Sequence, residues 1–216
     1  MTMVIKVMQK CFVCGEETRR RVLGSTISMG SPDLDLRPPK MKRITMGLWI
    51  QRCPHCGYVS EDLSDDTSVG KDWLASNEYK TCDGIKFESD LAAGFYQRHM
   101  IGLADKKTGD AFYALLHSAW ACDDAKDEEN AIRCRKLALP LIERLIGECD
   151  AERAETLKAL KADLLRRALL FDSLIEEYAG QTFSSEILNK VVSFQLERAR
   201  RQDAGCYTVK DAAEAP

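Results

Sequence analysis

No run of about 18 uninterrupted apolar residues occurs in this 216-residue chain, so a membrane-spanning helix is not expected. The opening MTMVIKVMQK lacks a charged leader followed by a long apolar segment and a small-residue cleavage site, which points to a cytoplasmic protein. A glycine-rich phosphate loop is also missing, as is any recognisable set of nucleophile, base and orienter, so the residues do not point to an enzyme. Histidine numbers only three. His99 and His117 read as satisfied helix residues, and His55, between two cysteines, as a solvated side chain. The composition itself, 45% hydrophobic and 30% charged, is that of a globular protein with one sizeable core or two small ones.

Cysteine is the exception to this scarcity. There are nine, an odd number without an export signal, so a secreted disulfide framework is the poorer reading. Four of them form two C-x-x-C pairs, Cys11 with Cys14 in CFVCG and Cys53 with Cys56 in CPHCG. Val4, Ile5 and Val7 lead into the first pair as a strand, and Ile44, Met46, Leu48 and Ile50 alternate into the second. Two residues between cysteines let both sulfurs of a tight turn face one ion, and the glycine that follows lets the backbone bend its amides toward the thiolates. Two such turns complete a tetrahedral S4 cage with no open position for substrate, hence a structural site for one zinc ion. The spacing also resembles that of rubredoxin, where paired turns hold iron, so an iron or zinc-thiolate redox protein stays open as a chemical alternative. The remaining cysteines, Cys82, Cys122, Cys134, Cys149 and Cys206, form no close pairs in sequence and read as ordinary thiols.

Charge divides the chain. Residues 1–57 carry ten Lys or Arg against four Asp or Glu, although the whole chain has a net charge of -3, so a basic N-terminal module precedes an acidic one. Between the cysteine pairs lies a long insertion, about 15–43. Val22 to Ser28 in it can form another strand, whereas GSPDLDLRPP is too rich in Pro, Gly and Asp for regular structure. Arg19, Arg20 and Arg21, with Arg37, Lys40, Lys42 and Arg43, could contact the phosphates of a nucleic acid. No aromatics interleave them, and an intramolecular role against the acidic module fits equally.

Beyond the acidic EDLSDDTSVG the pattern turns helical. KDWLASNEYK reads as a short helix and FESDLAAGFYQRHMIGLADKK as a longer one, with a restart near Gly109 and Asp110. The next two segments, from Asp110 to Leu145 and from Ala154 to Gly180, each read as a pair of amphipathic helices, with Pro140 expected to kink or restart one of them. These hairpins resemble tetratricopeptide repeats. Ala119, Ala131 and Ala138 occupy small positions of the first unit, Ala162 one of the second, and Leu174 replaces the usual alanine. The offset from Ala119 to Ala162 is 43 residues, longer than the repeat period of about 34. A final helix, SSEILNKVVSFQLERARRQ, with Ser184 or Ser185 as cap, would cover the last apolar face. The resemblance implies a concave surface lined by Tyr113, Leu116, Trp120, Asp123 and Asp124 in one unit, and by Thr156, Ala159, Asp163, Arg166 and Arg167 in the other. Apolar residues at this spacing also fit core packing.

Taken together, CFVCG, SPDLDLRPP, WIQRCPHCGYV and AFYALLHSAWACDDA resemble the bacterial family known as domain of unknown function 2225 over nearly the whole chain. The resemblance implies a zinc-ribbon-like head on a tetratricopeptide-like body and implies no activity. The expected fold is therefore α+β, mainly α. A small β zinc ribbon spans 1–60, antiparallel helical hairpins span 70–203, and a C-terminal tail spans 204–216. The expected function is a non-enzymatic, zinc-stabilised scaffold or adaptor that binds a protein or peptide through the helical groove, with nucleic-acid binding by the basic ribbon as the alternative.

Overall fold

A computed structural model describes residues 2–215. Two short antiparallel hairpins come first. Strands β1 (Met3–Lys10) and β2 (Glu17–Ser25) pair in a register that places Lys6 opposite Arg21 and Met8 opposite Arg19. Strands β3 (Gln51–Arg52) and β4 (Val59–Ser60) form a second, much shorter pair. Each C-x-x-C motif is the turn of one hairpin. Isolated two-stranded sheets are marginal in water, so these need an external tether.

The segment leading into the second pair differs from the alternating strand expected there. Lys40–Arg43 is a single helical turn, α1, and Met46–Leu48 a 3-10 turn. The physical reason is packing. Met46 is buried in the helical core, with Trp49 and Ile50 against it, while Ile44 is left in solvent. A bond from Trp49 Nε1 to Thr45 Oγ1 (3.0 Å) closes the turn.

The helical body starts with two one-turn helices, α2 (Lys71–Leu74) and α3 (Asn77–Lys80), where one short helix was expected. Then come α4 (Asp90–Ala104), α5 (Thr108–Ala125), α6 (Glu128–Glu148) and α7 (Ala151–Arg167), followed by α8 (Phe171–Tyr178), α9 (Glu186–Arg200) and α10 (Val209–Ala213). Their starts follow capping chemistry. Ser89 accepts the Ala92 amide, Asp127 that of Asn130, and Asp150 that of Arg153. Ser185 occupies the cap position of α9, with no side-chain bond to the helix. Lys126 and Leu169, both at positive φ, end α5 and the α7 region. Pro140 does not interrupt α6. Its ring sits on the solvent side, where the carbonyl that loses its partner can be hydrated.

Successive helices pack on one another from α4 to α7, and α7 then carries α8 and α9. Ala119, Ala131, Ala138 and Ala162 are all buried at these contacts. The α4–α5 approach is close. A Cβ on Gly102 would meet the Ala111 backbone nitrogen at 2.8 Å. The C-terminal segment is no loose tail: it is threaded into the fold, with Leu34 N donating to Tyr207 O, Val209 N to Pro32 O, and α10 contributing Ala212 to the core.

Candidate metal centre

Both cysteine turns have the same local build. In the first, Cys11 N donates to Glu16 O (2.9 Å) and Gly15 N to Cys11 O (2.8 Å). In the second, Cys53 N donates to Tyr58 O (2.8 Å) and Gly57 N to Cys53 O (3.0 Å). Gly15 and Gly57 have φ of 77° and 79°, the left-handed region that glycine enters without a Cβ penalty. That is why each pair is followed by glycine.

The two turns face each other. The ligand atoms of Cys11, Cys14, Cys53 and Cys56 all lie within 4.8 Å of one another. Cys11 Sγ is 3.7 Å from Cys56 Sγ, and Cys14 Sγ is 3.6 Å from Cys53 Sγ. A tetrahedron with metal–sulfur bonds of about 2.3 Å has edges of about 3.8 Å. The four thiols are free rather than joined as disulfides, and the spacing fits a metal.

The electrostatics agree. Burial pushes the Cys11 and Cys56 thiols up. Burial also acts against the Cys53 thiolate, but backbone amides of Cys56 and His55 directed at its sulfur outweigh it and bring that thiol down. Four clustered thiolates repel, and a cation is what lets them ionise together. His55 lies on the exposed side of its turn and supplies no atom to the cluster.

The cage is also a joint. Cys11 and Cys53 share a buried cluster with Tyr58, Leu63, Leu74, Tyr79 and Ile101, so its wall comes from α2, α3 and α4. Tyr79 Oη donates to Gly57 O (2.7 Å), and Phe12 N to Leu63 O (2.8 Å), bracing one turn each. Sequence reading missed Tyr79 and Leu63. No spacing rule connects them to cysteines so far away.

Several of the helical residues expected to line a partner groove contact the protein's own chain. Leu116 and Trp120 are buried in the main core. Trp120 Nε1 donates to the Asp35 carboxylate (2.7 Å), as does Arg167 Nη1 (3.1 Å). Asp123 accepts from Arg135 Nη2 (2.6 Å) and Arg167 Nη2 (2.8 Å), and Asp124 pairs with Arg37. Asp163 accepts from Arg166, which also reaches Gln195 and the carbonyls of Asp203 and Gly205. Ala159 is buried, Thr156 exposed and Tyr113 half-buried. Part of the face is covered by the chain's own segment 33–37 and by residues 203–207, while Asp123, Arg135 and Arg167 also line a cavity of about 470 Å³. Burying these charges unpaired would be costly, so the loop and the face complete each other.

Within this network the arginines hold the Asp123 carboxyl below its ordinary range despite burial, whereas burial and nearby Asp163 push that of Asp35 up. Arg135 was overlooked, although its signal was available. It sits between Ala131, Cys134 and Ala138 on the buried stripe of α6, and a charge there demands a buried partner.

The seven basic residues considered for nucleic acid do not form one face. Arg37 is buried, Arg43 pairs with Asp33 (2.6 Å), and Arg20 donates to Arg52 O. Arg19, Arg21, Lys40 and Lys42 are exposed and, among the described residues, make no ion pair. Among the described residues, no helix is long and apolar enough to cross a membrane. Comparison with family models, curated proteins and solved structures returns no match.

Proposed function

We propose that this protein is a non-enzymatic scaffold in which one zinc ion, held by Cys11, Cys14, Cys53 and Cys56, fixes the β1–β2 hairpin to the helical body for presentation to a macromolecular partner. The observation that carries this reading is the position of the four-sulfur cluster at the seam between hairpin and helices. A cage whose four positions are all thiolates leaves none for substrate, so its contribution is structural. Part of the helical face is covered by the protein's own loop, which favours the ribbon as the presenting surface. Among the described residues, four of the fourteen exposed large hydrophobics, Met3, Val4, Ile5 and Met8, lie on β1 alone, and apolar side chains left in solvent on one short strand favour a partner there.

The histidines support a non-catalytic reading. His99 is buried with Nδ1 against Ala111 O (3.0 Å), and His117 packs among Trp49, Phe95 and Trp120. Elemental analysis with visible absorption tests the metal, and hydrogen exchange before and after chelation tests its role. One zinc per chain, with β1 and β2 losing protection on its removal while α5 to α7 keep theirs, is the expected result. A coloured iron protein, or a hairpin indifferent to chelation, would overturn it.

A further inference from the structure

The two faces of the β1–β2 hairpin differ. On one, Val7, Gln9, Thr18, Arg20 and Val22 are partly covered, and Gln51 Nε2 reaches the Arg21 carbonyl from the body (3.2 Å). On the other, Lys6, Lys10, Arg19 and Arg21 all stand in solvent around Met8, which is 59% exposed. The register puts them on consecutive rungs: Lys6 across from Arg21, Met8 across from Arg19, Lys10 across from Glu17. Glu17 is the one acid on these rungs. Among the described residues none of these four cations makes an ion pair, although Arg37, Arg43, Arg98, Arg135, Arg166 and Arg167 all do.

We infer that this solvent face of the hairpin docks on the phosphate backbone of duplex DNA. The inference deepens the scaffold reading by naming the partner's class, and it rests on that reading for a hairpin held in place by metal. Charge complementarity carries it. At physiological salt, charges interact over about 8 Å, so the local cluster governs contact even though the whole chain is at -3. A two-stranded ribbon is narrow enough to enter the major groove of B-form DNA, about 12 Å wide, whereas that of duplex RNA is too narrow. The face carries no aromatic side chain for stacking, which disfavours a single strand. A second copy of the chain would set cations against cations. An acidic strand added to one sheet edge would neutralise the cations of that strand alone, whereas a duplex reaches both.

Fluorescence anisotropy of zinc-loaded full-length protein with a labelled duplex of about two helical turns tests this, between about 50 and 200 mM salt. Four phosphate contacts predict a slope of log K against log salt of about -3 to -4. Arg19→Gln with Arg21→Gln should weaken binding at least tenfold at the low-salt end and reduce the slope by about 2, while Lys136→Gln on α6 changes nothing. Lys6→Gln with Lys10→Gln is an independent pair in the other strand and should act alike. Zinc content and hydrogen exchange, measured on each sample, separate a lost hairpin from a lost contact. Absence of binding at low salt by a zinc-loaded protein overturns the inference while leaving the scaffold intact. So does unchanged affinity in both double variants, or a preference for single strands or duplex RNA. Poly-glutamate competing as well as unlabelled duplex would overturn it too and reassign the face to an acidic protein.

Discussion

Besides the apolar packing of Met46, Trp49 and Ile50 on the helical core, two polar ties hold the N-terminal 60 residues to the helical body, and they differ in chemistry. At one end, two hairpin turns converge through four sulfurs. Midway between those turns, Asp33–Arg37 is held by oxygen and nitrogen: Asp35 between Trp120 and Arg167, Arg37 against Asp124. The first tie is local to two glycine turns and offers four sulfurs to an ion from outside. The second is assembled wholly from the chain, over separations of more than eighty residues, and depends on α5, α6 and α7 being in place. A metal site can stabilise a segment with little core of its own, while a buried ion network can form only where a core already excludes water.

This difference orders the expected effects of breaking each tie. Cys53→Ser should have the largest. Structural zinc contributes roughly 10–16 kcal/mol in isolated finger peptides, so on the proposed zinc site the variant should lose the metal and the exchange protection of β1 and β2, while far-ultraviolet circular dichroism keeps the helical signal. Loss of the helical signal as well would mean the body depends on the cage.

Asp35→Ala should come next, at about 3–5 kcal/mol in urea unfolding, because it leaves the Trp120 N–H without its acceptor and takes from Arg167 one of its two carboxylates in a dry site. Asp35→Asn keeps an acceptor for Trp120 and should cost less, about 1–3 kcal/mol. Zinc content should be unchanged in both, and a variant that also loses zinc would show that the two ties are one unit.

Acid should sharpen the contrast through His117, which burial holds down at about 4 against an ordinary 6.5. The unfolded chain takes up the proton first, so stability falls as pH drops through this window and levels off below it. The full effect is about 3 kcal/mol, and His117→Phe should flatten it. Comparing the two proteins isolates this term from acid release of metal, which both share. Asp150→Ala, which removes the 2.9 Å cap on the Arg153 amide, should cost about 1 kcal/mol. Both ties should be untouched, as read by zinc content and exchange at β1.

The cysteine cage was legible in the chain because its information is local. C-x-x-C-G specifies a turn, and two such turns need only meet. The helices were legible for a similar reason, since apolar residues repeat at the helical period and Ser89, Asp127 and Asp150 cap where capping chemistry expects. The strand anticipated from Ile44 to Ile50 failed because alternation cannot tell a strand from a turn that sinks Met46 and Trp49 into a neighbouring core. The groove residues are a different case. Trp120, Arg166 and Arg167 meet segments 33–37 and 203–207, contacts that no local periodicity in the helices announces, and Asp123 and Arg167 also line a cavity.

What the sequence by itself determined, then, is each element that neighbours in the chain can specify: the metal-binding turns, the helical periods, the caps. Only the tertiary structure decided which charges are spent inside the molecule and which stay outside. Arg37 and Arg167 are buried against Asp124, Asp35 and Asp123, while Lys6, Lys10, Arg19 and Arg21 remain in water. Identical side chains have opposite fates because the cost of an unpaired charge depends on how far the fold removes it from solvent, and that distance is set by the packing of helices remote in sequence.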